Sequence, residues 1–225
     1  MTIDRIIEAT IRLYKDCNIK TFPIDCFEIS NTYGYDLVKY GELKAHKLEA
    51  CKELSEDACI LENTIYYDES QVPGRIRFSI MHELGHVLSG AATESDADTF
   101  ASHSLAPRMA IHYSGCKNAN DVSRIFDISF TAAEIAFDDY RRWHRYVVYH
   151  KMSQVDKAMY DHFYNERAKK FVWHIEQCWD CAREIYNQPG KEVCSVCQAR
   201  SGAFYDTSPD PLSPESRAMG YIFGI

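Results

Sequence analysis

Two histidines and a glutamate stand in an order that suits a single metal ion. His82 and His86 lie one helical turn apart, so a helix through them presents both imidazoles on one face. Glu83 follows about 100° further around the same helix, at the edge of that face. Zinc with few protein ligands keeps a position for water, whose pKa it lowers towards about 7. The spacing therefore predicts a catalytic zinc site with Glu83 as the base, and the alternative is a surface helix with two unrelated histidines.

The helix that must carry this motif is predicted from about Arg75 to Ser89, where Gly90 offers a C-cap. Gly85 lowers helix stability by about 1 kcal/mol relative to alanine, so we expect another backbone to approach it closely. The face opposite the histidines is apolar and should pack in the core; it consists of Ile80, Leu84, Val87 and Leu88.

A third protein ligand is expected from the acidic segment that follows. Gly90 ends the first helix and Thr93 can cap the next, so the segment should return alongside the histidines as a helix hairpin. Glu94 and Asp98 share a helix face, and we assign Glu94 as the zinc ligand and Asp98 as the carboxylate that orients a ligand histidine. Two alternatives stay open: Asp96 as the ligand, and a solvated acidic face that binds no metal.

These residues resemble the ImmA/IrrE family of metallo-endopeptidases. In that family an HExxH helix is followed by a Glu-x-x-Ala-Asn/Asp-x-Phe-Ala helix that ends near a proline, as in residues 77–86 and 94–107 here. The wider layout fits over residues 1–145, including a strand near 60–67. The Ser-Leu-Ala sequence of residues 104–106 replaces the more usual Leu-Leu-Met before the proline, a difference that concerns packing rather than chemistry.

The resemblance implies a gluzincin-like α+β zinc protease fold over residues 1–145, mostly helical with a small sheet. It also implies a zinc-dependent endopeptidase that cleaves a cytosolic regulatory protein, such as a helix-turn-helix repressor of a phage or mobile element. We expect His82, His86 and Glu94 to hold the ion, and Glu83 to act as base and then as proton shuttle. The alternative function is a non-catalytic, metal-stabilised module that binds proteins or regulates transcription.

A peptide substrate would need a binding surface beside the metal. Residues 59–67 are rich in β-branched and aromatic side chains and predict a strand, which could bind an extended substrate by strand addition if it borders the cleft. A second group to stabilise the oxyanion is not identified. His103, His112 and Tyr113 are near in sequence, and each is more readily explained by packing or surface placement.

Four of the nine cysteines form two Cys-x-x-Cys pairs separated by a turn at Gln188-Pro189-Gly190. Four thiolates fill the tetrahedral shell of zinc, so the pairs predict a structural zinc in a zinc-ribbon-like module; the ligands are Cys178, Cys181, Cys194 and Cys197. A redox-active pair is the alternative. The other cysteines should be buried free thiols in a reducing compartment; they are Cys17, Cys26, Cys51, Cys59 and Cys116.

Residues 120–145 predict two helices broken near Asp127-Ile128-Ser129, a rhythm that a DNA-binding helix-turn-helix would share. The second helix carries Glu134, Asp138 and Asp139, which would repel phosphates, so core packing is the favoured interpretation. The whole chain is also acidic, with 33 Asp+Glu against 25 Lys+Arg and a net charge of −8. We therefore expect a protein partner and no direct binding to nucleic acid.

Composition is typical of a globular protein: of 225 residues, 46% are hydrophobic and 26% are charged. No uncharged apolar run approaches the ~18 residues that span a membrane, and the first residues lack the layout of a signal peptide, so we expect a cytoplasmic protein. The expected domains are a metallopeptidase-like domain (1–145), a helical segment with the four-cysteine module (146–205) and a Pro-rich tail (206–225). The apolar end of the tail is a candidate cover for the cleft.

Overall fold

The apolar spacing at the start of the chain forms helix α1 (Ile3–Asp16) in the computed structural model, which describes residues 2–205. The apolar side of α1 lies in the core. Its Tyr14 hydroxyl donates a 2.7 Å hydrogen bond to the carbonyl of Ser104, which satisfies a buried polar group.

The contacts divide the chain into two units, with the boundary after His174. In the first unit, the elements after α1 are α2 (Cys26–Thr32), β1 (Asp36–Lys39), α3 (Ala45–Leu54), β2 (Ala58–Leu61), β3 (Thr64–Tyr67), α4 (Pro73–Leu88), α5 (Glu94–Leu105), α6 (Arg108–Ser114), α7 (Ala119–Phe126), α8 (Phe130–Tyr149), α9 (Gln154–Phe163), β4 (Tyr164–Asn165) and β5 (Lys170–Phe171). In the second unit, the described elements are β6 (Ile175–Gln177), β7 (Glu184–Tyr186) and α10 (Ser195–Tyr205).

A three-stranded sheet in the order β1-β3-β2 stands next to the motif helix. The single strand predicted over residues 59–67 is wrong, because this segment contains two antiparallel strands, β2 and β3. The chain reverses between them at Glu62 and Asn63, where Glu62 has a φ of 54°. Such a two-residue loop with positive φ suits a tight hairpin. β2 is left at one edge of the sheet.

The two faces of the sheet are both covered. Ile60 and Ile65 are cross-strand partners on the side of the main core, while Cys59 and Tyr66 are partners on the other side. Tyr40 and Cys51 pack with Cys59 and Tyr66 in a second, smaller core cluster. Side chains alternate between faces along a strand, so β2 links the two clusters.

The motif helix α4 starts with Pro73 in its first turn and ends before Ser89, close to the predicted bounds. Ile80 and Leu84 are fully buried, as predicted. Val87 is 44% exposed, so the apolar face is narrower than the sequence pattern indicates. A β-carbon on Gly85 would lie 3.2 Å from the Cα of Ala97 in α5, which confirms the expected close approach of another backbone.

Residues 120–145 form two helices, α7 and α8, as predicted. They are separated at Asp127, which adopts a φ of 52°, and the Ser129 side chain caps α8. Val122 and Phe126 of α7, with Trp143 of α8, are buried in the main core. Core packing therefore accounts for the apolar rhythm that a helix-turn-helix would share.

The division after His174 differs from the boundary near residue 145 that the sequence suggests. Helix α9 and strand β5 contribute Met159, Phe163 and Phe171 to the main core of the first unit. The aromatic-rich segment after residue 150 therefore belongs with the domain that precedes it. The predicted tail, 206–225, lies outside the described residues.

The class of fold is α+β, mostly helical with small sheets, as predicted. Of the helices in the described residues, none is long and apolar enough to cross a membrane.

Candidate metal centres

Helices α4 and α5 bring the first candidate centre together by packing as an antiparallel hairpin. The Thr93 side chain accepts a hydrogen bond from the backbone N–H of Asp96 and so caps α5 where predicted. Close packing at Gly85 allows the two helix axes to approach. The hairpin sets Glu94 and Asp98 opposite the two histidines.

Three ligand atoms converge at this place: His82 Nε2, His86 Nε2 and the carboxylate of Glu94. His82 Nε2 lies 3.2 Å from His86 Nε2 and 3.0 Å from Glu94 Oε2, and His86 Nε2 lies 3.6 Å from Glu94 Oε1. Ligands about 2.0–2.1 Å from a tetrahedral zinc would be roughly 3.3 Å apart. The three groups could therefore hold a metal ion and are compatible with zinc.

The other ring nitrogens of both histidines have hydrogen-bond acceptors. His82 Nδ1 lies 2.8 Å from Asp98 Oδ1, and His86 Nδ1 lies 3.3 Å from the carbonyl oxygen of Ala91. With Nδ1–H donating to these acceptors, each Nε2 carries the lone pair that a metal needs. The contact assigned to Asp98 from the sequence is present. Asp96 does not belong to the converging group.

Glu83 lies between the metal ligands and the edge strand β2. Burial raises the pKa of its carboxyl, and the charges of His82 and His86 lower it. The backbone N–H of Ile60 in β2, which lies nearby, also lowers this pKa. The carboxylate is thus held next to the ligand cluster, partly withdrawn from water, where a proton acceptor would be useful.

A cleft of about 860 Å³ opens above this group. One wall comes from the end of α3 and from β2, with Leu54, Ala58 and Ile60 among its residues. Another wall comes from α5 and α8, with Ser102 and Ile135 among its residues. The ligand residues of α4 and α5, together with Glu83, line the cleft as well. The condition for strand addition, that the strand segment borders the cleft, is met by β2.

The three residues considered as oxyanion stabilisers have different surroundings. His103 lines the cleft, is almost fully buried, and places Nε2 3.5 Å from Asp139 Oδ2. Burial lowers the pKa of His103 to about 4, so its imidazole is neutral near pH 7. His112 stacks on His144, and Tyr113 stacks on Phe171.

Neither His112 nor Tyr113 is among the residues that line the cleft. Packing therefore accounts for these two, as the sequence favoured. Two groups of the site have no signal in the sequence, namely the carbonyl of Ala91 and the N–H of Ile60. Both are main-chain groups, and their positions depend on how the chain folds.

The second candidate centre lies in the second unit, where four thiol groups converge. Their sulfur atoms all lie within 4.8 Å of one another, and Cys181 Sγ is 3.7 Å from Cys194 Sγ; the four residues are Cys178, Cys181, Cys194 and Cys197. Sulfurs about 2.3 Å from a tetrahedral zinc would be roughly 3.8 Å apart. The four cysteines could therefore hold a metal ion and are compatible with zinc.

The two cysteine pairs sit on different elements. Cys178 and Cys181 lie between the paired strands β6 and β7, whereas Cys197 lies in the first turn of α10. This hairpin-and-helix arrangement differs from a ribbon with both pairs on hairpins. Backbone N–H groups, first that of Cys194, lower the pKa of the Cys178 thiol to about 6. Donors aimed at sulfur favour the thiolate that binds metal.

The remaining cysteines are free thiols. Four of them are buried, as predicted: Cys26, Cys51, Cys59 and Cys116. Cys17 is only partly buried.

We compared the chain with protein-family models, with curated proteins and with solved structures. None of the three comparisons gives a match.

Proposed function

We propose that the protein is a zinc-dependent endopeptidase that cleaves a regulatory protein in the cytoplasm, for example a helix-turn-helix repressor of a phage or mobile element. The observation that carries the catalytic part is the position of Glu83 between three converging ligand atoms and an edge strand. The nature of the target rests on the motif resemblance to the ImmA/IrrE family.

The chain's own groups have distinct tasks in this proposal. The Nε2 atoms of His82 and His86 and the carboxylate of Glu94 hold the ion, while Asp98 fixes the ring of His82 by accepting its Nδ1 proton. When bound, zinc supplies the Lewis acidity that polarises a carbonyl and acidifies water. Glu83 accepts the proton of the attacking water and returns it to the leaving amine.

Strand β2 provides main-chain hydrogen bonds for the substrate. The N–H of Asp68 donates to the carbonyl of Asp57 across the hairpin, at 2.9 Å. Alternation along the antiparallel pair then turns the main-chain groups of Ala58 and Ile60 away from β3, towards the open edge. The Ala58 N–H donates to Ser55 Oγ, so the two outward carbonyls are the groups that can accept from a substrate. An extended segment that donates to them passes beside Glu83, which lies near the Ile60 N–H.

The proposed function is tested with the zinc-loaded protein and its Glu83→Gln variant. Both are incubated with a peptide library made from a bacterial proteome, and new N-termini are identified by mass spectrometry. We expect the unmodified protein to cleave peptides and Glu83→Gln to lose about a hundredfold or more of this activity, because general-base catalysis contributes that much. Both proteins should contain equal zinc by elemental analysis.

Equal cleavage by the two proteins would contradict the role of Glu83. Absence of cleavage by the zinc-loaded protein would favour the non-catalytic binding module, in which the metal only stabilises the fold. The same peptide library would then be used to test which peptides the zinc-loaded protein binds.

A further inference from the structure

Large aliphatic side chains from three separate elements stand exposed around the cleft. Leu54 at the end of α3 is 62% exposed, and Ile135 in α8 is 60% exposed. The third residue, Ile3 at the start of α1, is 39% exposed. Single exposed aliphatic residues are ordinary on a protein surface. Three around one cleft, beside an edge strand, place apolar surface where a bound segment would cover it.

We propose that Leu54 and Ile135 determine specificity by contacting an aliphatic side chain of a polypeptide segment that lies extended along β2. The inference rests on the proposed function for its occupant, because a peptide bond must reach the metal ligands. Successive side chains of an extended segment point to opposite sides, so one residue in every two faces the cleft floor. The aliphatic preference belongs to that residue.

The backbone of β2 and the charges of the cleft indicate which kind of segment binds there. The outward C=O groups of Ala58 and Ile60 can accept hydrogen bonds from the N–H groups of another extended main chain, which a helix cannot offer because its own N–H groups are already bonded. The cleft is lined by more carboxylates than cations: Asp57, Glu83, Glu94, Asp98 and Asp139 face only Arg75 and Arg142. A bound zinc ion would add two positive charges and leave the lining close to neutral, so a neutral segment fits better than an acidic one.

The wall residues are free to serve a ligand. Because Leu54 and Ile135 are mostly exposed, replacing either with serine removes little apolar burial from the fold. Val148 provides a matched control, since it is a 61% exposed aliphatic residue in α8 that does not line the cleft. Binding effects at the first two positions and none at the third would isolate the cleft wall.

The test uses zinc-loaded Glu83→Gln protein, so that bound peptides stay intact. The probes are fluorescein-labelled peptides of threonine and glutamine with one central leucine, serine, lysine or aspartate, and binding is measured by fluorescence anisotropy. We expect the leucine peptide to bind about tenfold or more tightly than the serine peptide, from burial of one aliphatic side chain. Leu54→Ser and Ile135→Ser should each remove most of this difference, and Val148→Ser should keep it.

The results separate this inference from the proposed function. Equal binding of the leucine and serine peptides, or an unchanged preference in Leu54→Ser and Ile135→Ser, overturns the specificity assignment even if the active protein cleaves peptides. A leucine preference that both wall variants lose supports the assignment even if no peptide is cleaved, and the failure then concerns catalysis. Tightest binding of the aspartate peptide or of the lysine peptide overturns the stated substrate class, a neutral segment with an aliphatic side chain.

Discussion

The two candidate metal centres differ in the exposure of their ligands and in the space beside them. In the first, Glu94 is 82% exposed and three ligand atoms converge, with the Glu83 carboxylate and a cleft beside them. In the second, four thiols converge, and three of the cysteines are buried. A site with three protein ligands keeps a position for a reacting molecule, whereas four thiolates close the shell. The first centre therefore has room for a reacting molecule, whereas the second suits a structural role.

The largest expected effect is on folding: loss of the metal should unfold the protein around one centre but not around the other. Cys194→Ser should unfold the second unit, because a structural zinc supplies on the order of 10 kcal/mol of folding free energy and the unit has a small core. His86→Ala should remove the other metal and leave the first unit folded. Hydrogen exchange by mass spectrometry, read separately for residues 2–174 and 175–201, measures both. Full protection of the second unit in Cys194→Ser would break the comparison.

Acid should weaken the first unit through a group away from its metal ligands. The pKa of His103 is about 4 in the folded chain and 6.5 ordinarily, because burial disfavours its charged form. The unfolded chain therefore takes up the proton first, and stability falls as pH drops from about 7 to about 4, by up to about 3 kcal/mol.

This acid effect is measured by urea unfolding of the first unit at pH 7 and pH 4.5. His103→Asn lacks the titrating group and should show a smaller difference between the two pH values. Arg108 and Trp143 outweigh the effect of burial on Asp156 and lower its pKa. This second contribution to the pH dependence is the same in both proteins, so it cancels in the comparison. Identical pH dependence in the two proteins would show that His103 does not cause the loss of stability in acid.

The contact of Asp98 with His82 should affect metal affinity at the first candidate centre and not at the four-cysteine centre. Asp98→Asn keeps the shape of the side chain and removes its charge, and loss of such a supporting carboxylate costs about tenfold to a hundredfold in affinity. Competition with a zinc chelator, followed for both centres, measures the effect. The four-cysteine centre acts as the internal control, and a change there of equal size would point to a general loss of stability.

The smallest effect concerns the fit between α4 and α5. Gly85→Ala places a methyl group 3.1 Å from a ring carbon of Phe100 and 3.2 Å from the Cα of Ala97, so the helices must shift apart. We expect a loss of about 1–2 kcal/mol in the first unit, since the helix propensity gained by alanine offsets part of the overpacking. Thermal unfolding compared with exposed Val87→Ala in the same helix measures it. A stabilised Gly85→Ala protein would show that the close approach is not required.

Much of the first centre follows from local rules. The turn between His82 and His86, the cap at Thr93 and the shared face of Glu94 and Asp98 all depend on helical periodicity within short segments. Non-local features were missed for a physical reason. The reversal at Glu62 and Asn63 joins two short apolar runs, and the pattern of side chains gives the same strand signal on both sides of it.

The domain boundary shows the same limit. The sequence predicted a new segment from residue 146, yet Met159 and Phe163 complete the core of the first unit. A buried helix is apolar in whichever unit it packs, so its sequence does not say which core it joins.

Residue types and spacing alone indicate the candidate ligands: two histidines one turn apart, a returning acidic helix and two cysteine pairs. They also place Glu83, the proposed base, beside the histidines, because helix geometry sets the angles between neighbours. The convergence of both Nε2 atoms with the Glu94 carboxylate, and the position of Glu83 near Ile60 of an edge strand, follow only from the tertiary structure. Those contacts depend on the distance between packed elements, which is fixed by long-range burial such as that of Ala97 against Gly85.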